Sequence, residues 1–276
     1  MQLAYKRTRN WLIITGIAIP LTVAMPVSAE TEIAATQPAT QPATDDAATT
    51  QNELDHWLTR IGNRADELKT LQARLRIEQI VGIVGDVQAR FGSFSYDAGP
   101  PGRFALHIDR LVVDERPEDK DHWFIFDGDW LVERDNHAKL FNKRQVRNPN
   151  DETAAVDPLA SGEGPFVLPL RFDKDRLMQR FDVSLIAPQD EATANAVGIR
   201  LTPREGVRVD VTQVDLWYSR ETALPVEIHT KSDGNSERRI FLLRQRVDEK
   251  IDDKVFNVKE PADRGWRVDV REWSEE

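Results

Sequence analysis

Residues 122–133 read His-Trp-Phe-Ile-Phe-Asp-Gly-Asp-Trp-Leu-Val-Glu. An Asp-Gly pair between two such stretches is a strong short-range hairpin signal, because the tight type I′ turn needs positive φ at both central positions. That turn sets a register in which Phe126 faces Asp129, Ile125 faces Trp130 and Trp123 faces Val132. Directly opposed residues share a face of the sheet. One face then carries Trp123, Ile125, Trp130 and Val132 and is wholly apolar. The other mixes His122, Phe124, Phe126, Asp129, Leu131 and Glu133. The apolar face is expected to point inward.

The same period of two recurs on both sides of this hairpin. Leu71, Ala73, Leu75 and Ile77 alternate with polar residues, as do Phe104, Leu106 and Ile108, then Val207, Val209 and Val211, then Leu224, Val226 and Ile228. Such alternation marks strands with one buried and one wet face. Turn signals at Gly99-Pro100-Pro101-Gly102 and Asp233-Gly234-Asn235 make the arrangement an antiparallel meander. Only two segments have the helical period. Leu54, Leu58, Ile61, Ala65 and Leu68 define a helix from Asn52 to Leu71, with Asn52 as N-cap. Lys174–Arg180 is the second, behind Asp173. Residues 148–170 read as a long loop with one apolar cluster at Pro165–Leu170. The fold class is therefore α+β. Ten or so twisted strands curl into a half-open antiparallel barrel, and the two helices cover its concave face.

The N-terminus addresses this domain. Lys6, Arg7 and Arg9 precede an apolar run from Trp11 to Val27, and Val27-Ser28-Ala29 fits a signal-peptidase site. Residues 1–29 are expected to be a signal peptide. The run is interrupted by Gly16 and Pro20, which weakens the alternative of an uncleaved anchor. Residues 30–51 contain ATQP twice in tandem and read as a disordered linker, so the folded domain is placed at 52–276. Cleavage would remove three positive charges and no negative one, moving the formal charge from −10 to −13. Such a chain repels nucleic acid and bare anionic membranes. There is no cysteine, which excludes disulfides, thiol nucleophiles and a lipidated cysteine.

Little points to catalysis. The five histidines show no helical ligand spacing, and no G-x-S-x-G, P-loop or G-x-G-x-x-G occurs. Asp127 and Asp129 are explained by the turn. The acidic residues leave room for an unrecognised carboxylate pair, so a secreted hydrolase stays open as an alternative. An exported, curled sheet with an apolar interior most simply binds an apolar ligand.

The ordered short motifs resemble the LolA family of periplasmic lipoprotein carriers over about residues 52–262. Pro101-Gly102-Arg103-Phe104 is similar to that family's Pro-x-x-Phe turn, and Phe126–Leu131 to its Asp-Gly hairpin with a following Trp. Gly164–Leu168 is similar to its loop before the middle helix, and Ile199–Pro203 to a strand ending in Thr-Pro. Leu224–Ile228, Asp233–Asn235, Val255–Val258 and Pro261 match its C-terminal pattern. The resemblance implies about 11 strands in a half-open barrel closed by helices, no cofactor, no metal and no reaction. It implies a monomeric periplasmic carrier that binds acyl chains of lipoproteins or lipids and passes them from a membrane-bound donor to an outer-membrane acceptor. The cavity would be lined by Leu75, Ile77, Phe104, Leu106, Ile108, Trp123, Ile125, Trp130, Val226 and Ile228, with Phe166 and Leu168 in a lid. An envelope-stress sensor or adaptor of the same fold is the other alternative. Pro100 stands where the family commonly has an Arg that locks the closed state.

Overall fold

The computed structural model describes residues 43–81, 86–150, 170, 174–207 and 209–274. Helix α1 (Ala43–Glu67) leads into six strands: β1 (Thr70–Val81), β2 (Asp86–Asp97), β3 (Arg103–Val113), β4 (Arg116–Phe126), β5 (Trp130–Asp135) and β6 (Leu140–Gln145). Helix α2 (Lys174–Arg180) precedes β7 (Phe181–Ile186), β8 (Ala196–Pro203), β9 (Gln213–Ser219), β10 (Pro225–Ser232), β11 (Ser236–Val247) and β12 (Arg267–Arg271). The strands form one open sheet in the order β12-β6-β5-β4-β3-β2-β1-β11-β10-β9-β8-β7. Every neighbouring pair is antiparallel except β12, which runs parallel to β6. The expected α+β class and helix-covered sheet are observed, with twelve strands.

Helix α1 begins nine residues earlier than the composition suggests. Residues 43–51 are its first turns rather than linker, and Asn52 lies inside the helix, not at its cap. Ala43, Ala47 and Ala48 are strong helix formers, a preference the low-complexity reading concealed. The helix stops at Glu67 because the chain must turn into β1. Asp248 secures that corner by accepting bonds from the backbone N–H groups of Lys69 (3.0 Å) and Thr70 (3.4 Å). The Lys69 bond, with the others, holds the Asp248 carboxyl below its usual range.

One apolar layer fills the space between α1 and the sheet. Leu54, Trp57, Leu58 and Ile61 of α1 pack with Leu71, Leu75 and Ile77 of β1, Phe94 of β2, Phe104, Leu106 and Ile108 of β3, and Ile228, Ile240 and Leu242 beyond. The face that α1 covers is called the inner face below. On β8–β11 the outer face is closed differently. Asp215, only 1% exposed, receives Arg200 through two bonds of 2.7 and 2.8 Å and Gln213 through a third of 2.8 Å. Glu227 is likewise buried and accepts from Arg239 at 2.7 Å, which also reaches Asp190. Paired and hydrogen-bonded in this way, buried carboxylates are tolerated.

Two sequence expectations fail locally. Val207 and Val209–Val211 are not a strand; β8 ends at Pro203, and the chain turns through Gly206 at φ +83°. The 127–128 turn is also wider than a two-residue type I′. The Asp127 carboxylate accepts from the N–H groups of Asp129 (3.0 Å) and Trp130 (2.8 Å), and Phe126 therefore pairs with Leu131, and Ile125 with Val132. The register moves by two residues, which leaves the division of faces intact. Gly128 is required here: φ is +110°, and a methyl group would overlap the ring of Pro101.

Candidate functional site

The inner layer is the candidate site. Six of the residues expected to line a cavity meet there: Leu75, Ile77, Phe104, Leu106, Ile108 and Ile228, all 3% exposed or less. They are brought together by register. Leu75 pairs with Leu242, Ile77 with Ile240, and Ile228 with Ile240 from the other side. Phe104 links Phe94, at 6.5 Å between ring centres, to Phe126 at 5.8 Å.

Trp123, Ile125 and Trp130 are not in this layer, which corrects the inward assignment of the hairpin's apolar face. Trp123 and Ile125 pack on the outer side with Ala105, Val132 and Phe141, and residues 251–266 cover them through Ile251, Val255, Phe256, Val258 and Trp266. Trp130 shares that side by alternation and lies 4.5 Å beneath the Lys143 ammonium. Arg103 fastens the covering segment: it stacks 4.4 Å over the Phe256 ring and bonds both Asp97 (2.9 Å) and Asp253 (2.7 Å). Both faces of the hairpin are thus buried, so an apolar face does not by itself mark the side that looks toward α1. Phe124, Phe126 and Leu131, set aside as a mixed face, are the residues that reach the inner layer. Their alternation was visible; His122 and Glu133 disguised it. Those two satisfy one another at 3.1 Å, and Asn142 donates to Glu133 at 3.2 Å. The His122 bond is the main reason the Glu133 carboxyl sits below its usual range. Val226 is half-buried at the β10 bulge. Phe166 and Leu168 lie outside the described residues, as do residues 1–29, for which a signal peptide is expected.

Polar ties hold α1 at its margins. Arg60 donates to the backbone oxygen of Glu221 (2.9 Å), and Lys174 of α2 pairs with Asp55 (2.9 Å). Arg60 and Arg220 both lie over the Trp57 ring, at 4.9 and 5.6 Å. An open groove of about 670 Å³ runs along this margin between His56, Arg60, Arg64, Glu67 and Glu221. Its lining residues are charged or hydrogen-bonding except for Ala223. Among the described residues, no three His, Asp or Glu side chains are placed to hold a metal, and no helix is long and apolar enough to cross a membrane.

No family model matches the chain, and no curated protein matches it. Solved structures do. An uncharacterized conserved protein from Thermus thermophilus is 7% identical over 79% of this chain and 99% of its own, with a TM-score of 0.47. MucB in the Pseudomonas aeruginosa MucA/MucB complex is 15% identical over 74% of this chain, which spans 60% of that one, with a TM-score of 0.40. A LolA superfamily protein from Nitrosomonas europaea is 10% identical over 72% of this chain and 96% of its own, with a TM-score of 0.30. A LolA-like structure is therefore among those the chain is similar to.

Proposed function

We propose that this chain is an exported, periplasmic, non-enzymatic carrier that takes acyl chains of a lipid or lipoprotein between α1 and the inner face of the sheet, then releases them to an outer-membrane acceptor. The observation that supports this most is a continuous apolar layer sealed by one amphipathic helix, whose polar ties lie at its edges. Burying an acyl chain yields about 0.8 kcal/mol per CH₂, so about ten methylenes yield about 8 kcal/mol. Leu54, Trp57, Leu58 and Ile61 bury comparable surface, at about 1.5–3 kcal/mol each. Exchanging helix side chains for lipid is then close to balanced, which is what reversible capture and hand-off require. The carrier acts as a monomer and needs no cofactor in this reading.

The test is lipid extraction and mass spectrometry on the protein purified without detergent from a periplasmic fraction. Stoichiometric acylated species are expected. A lipid-free protein that also takes up no fluorescent acyl probe would overturn the proposal.

A further inference from the structure

The strand registers allow the inner face to be followed in rows perpendicular to the strands. One row passes through Leu111, Arg90, Ile77, Ile240, Ile228 and Leu216, on β3, β2, β1, β11, β10 and β9. Five of these six side chains are aliphatic, and the sixth carries a full positive charge. The next row on that face places Gln88, Gln79 and Arg238 on β2, β1 and β11. Two arginines therefore stand diagonally across β1, where the apolar layer gives way to polar residues.

Both arginines are half-buried. The Arg90 fork is held in place: Nη1 donates to Gln79 Oε1 at 3.2 Å and Nη2 to Gln88 Oε1 at 3.1 Å. These are neutral acceptors, so they orient the guanidinium without neutralising it. Burial pushes the Arg90 guanidinium below its ordinary value, and burial together with the Arg90 charge does the same to Arg238. Two like charges sharing a partly dry surface repel, and an anion between them relieves the repulsion. Beyond Leu111 the row meets Glu118 of β4, which is engaged by Lys120 at 3.1 Å. A planar, fixed guanidinium fork suits carboxylate and phosphate oxygens.

The geometry points to a seat at Arg90 and Arg238 for the anionic head of a lipid, a carboxylate or phosphate, whose tail enters the adjoining aliphatic layer. This rests on the acyl-chain reading above and narrows it: the ligand is an anionic amphiphile, not a neutral one. A guanidinium in an aliphatic row then has a function, since it positions the head while Ile77, Ile240 and Ile228 receive the first methylenes.

The test compares oleate with oleyl alcohol, which share a chain and differ in the head, by displacement of a fluorescent acyl probe from the full chain. Oleate should bind at least tenfold more tightly than the alcohol. In Arg90→Gln/Arg238→Gln the ratio should fall to about one, whereas Arg74→Gln, on the outer face, should keep it. Far-UV circular dichroism checks that each variant is folded. Inorganic phosphate, titrated alone, should bind at least a hundredfold more weakly than oleate. If the alcohol binds as well as oleate, or if the preference survives the double substitution, the head-group seat is wrong while the carrier reading stands. If phosphate alone binds as tightly as oleate, the site serves a free anion and the lipid assignment fails. If neither oleate nor the alcohol displaces the probe, both readings fail together.

Discussion

Replacing Trp57 by alanine separates a lid from an ordinary core helix. Trp57 is 6% exposed, packs into the inner layer from α1, and carries the guanidinium groups of Arg60 and Arg220 on its ring. Truncating a buried Trp costs about 3–5 kcal/mol. Removing the ring from beneath each guanidinium adds about 0.5–1 kcal/mol at an accessible site. Taking about 4 kcal/mol, the lower end of that sum, as the loss, and about 1.4 kcal/mol per factor of ten, α1 should open at least about 10³-fold more often. If α1 is a lid, that loss falls on the helix alone. Native-state hydrogen exchange would then show α1 amides losing about three orders of magnitude of protection while β1 and β11 amides keep theirs, and acyl-probe uptake would quicken in stopped-flow. Equal loss of protection in α1, β1 and β11 would refute the reasoning, since the helix would then open only when the whole domain unfolds.

Two further expectations follow from particular contacts. Gly92 lies where β3 bulges toward β2, and a methyl group there would overlap the carbonyl oxygen of His107 and come within 3.1 Å of the Ile108 Cα. Gly92→Ala must push β2 and β3 apart, so a loss near the top of the overpacking range, about 3 kcal/mol, is expected in urea denaturation; a change below about 0.5 kcal/mol would contradict the close approach. The Glu133 carboxyl is depressed from its ordinary value of 4.5, chiefly by the His122 bond, and Asp190 from 3.8, chiefly by Arg239. A group whose folded pKa is depressed stabilises above its unfolded value and loses that contribution as pH falls through the folded value. The urea midpoint should therefore hold from neutral pH down to about 5 and fall steadily below 4.5, and Glu133→Gln should flatten the fall; a midpoint unchanged down to pH 3 would contradict it.

The sequence carried the periodic parts of this structure well. The stripe Leu54, Leu58, Ile61 marks α1, the alternation around Leu75 and Ile77 marks β1, and Lys174–Arg180 is helical as read. Parity is robust because the side-chain period of a strand is two, so even a hairpin whose turn widened kept Trp123 and Ile125 with Val132. Side was not legible. Which face of β3–β6 looks toward α1 depends on what covers the other, and the cover comes from residues 251–266, more than a hundred positions later and without a period of its own. The parallel pairing of β12 with β6 is equally non-local. Arg90 could have been singled out only with the strand registers in hand, because along its own strand it reads as an unremarkable polar position.

The late cover also sets an order of events as the chain folds. A chain that emerges amino-terminus first can complete the α1 layer once Val247 has appeared, because β11 supplies the last strand beside β1. Trp123, Ile125 and Phe141 must wait for Ile251, Phe256 and Trp266, and then for β12 to dock on β6. During that interval the nascent protein presents an aromatic patch to its surroundings. A stop near Lys250 would make that patch permanent, leaving the α1 layer assembled and the opposite face of β3–β6 uncovered, a natural target for proteases.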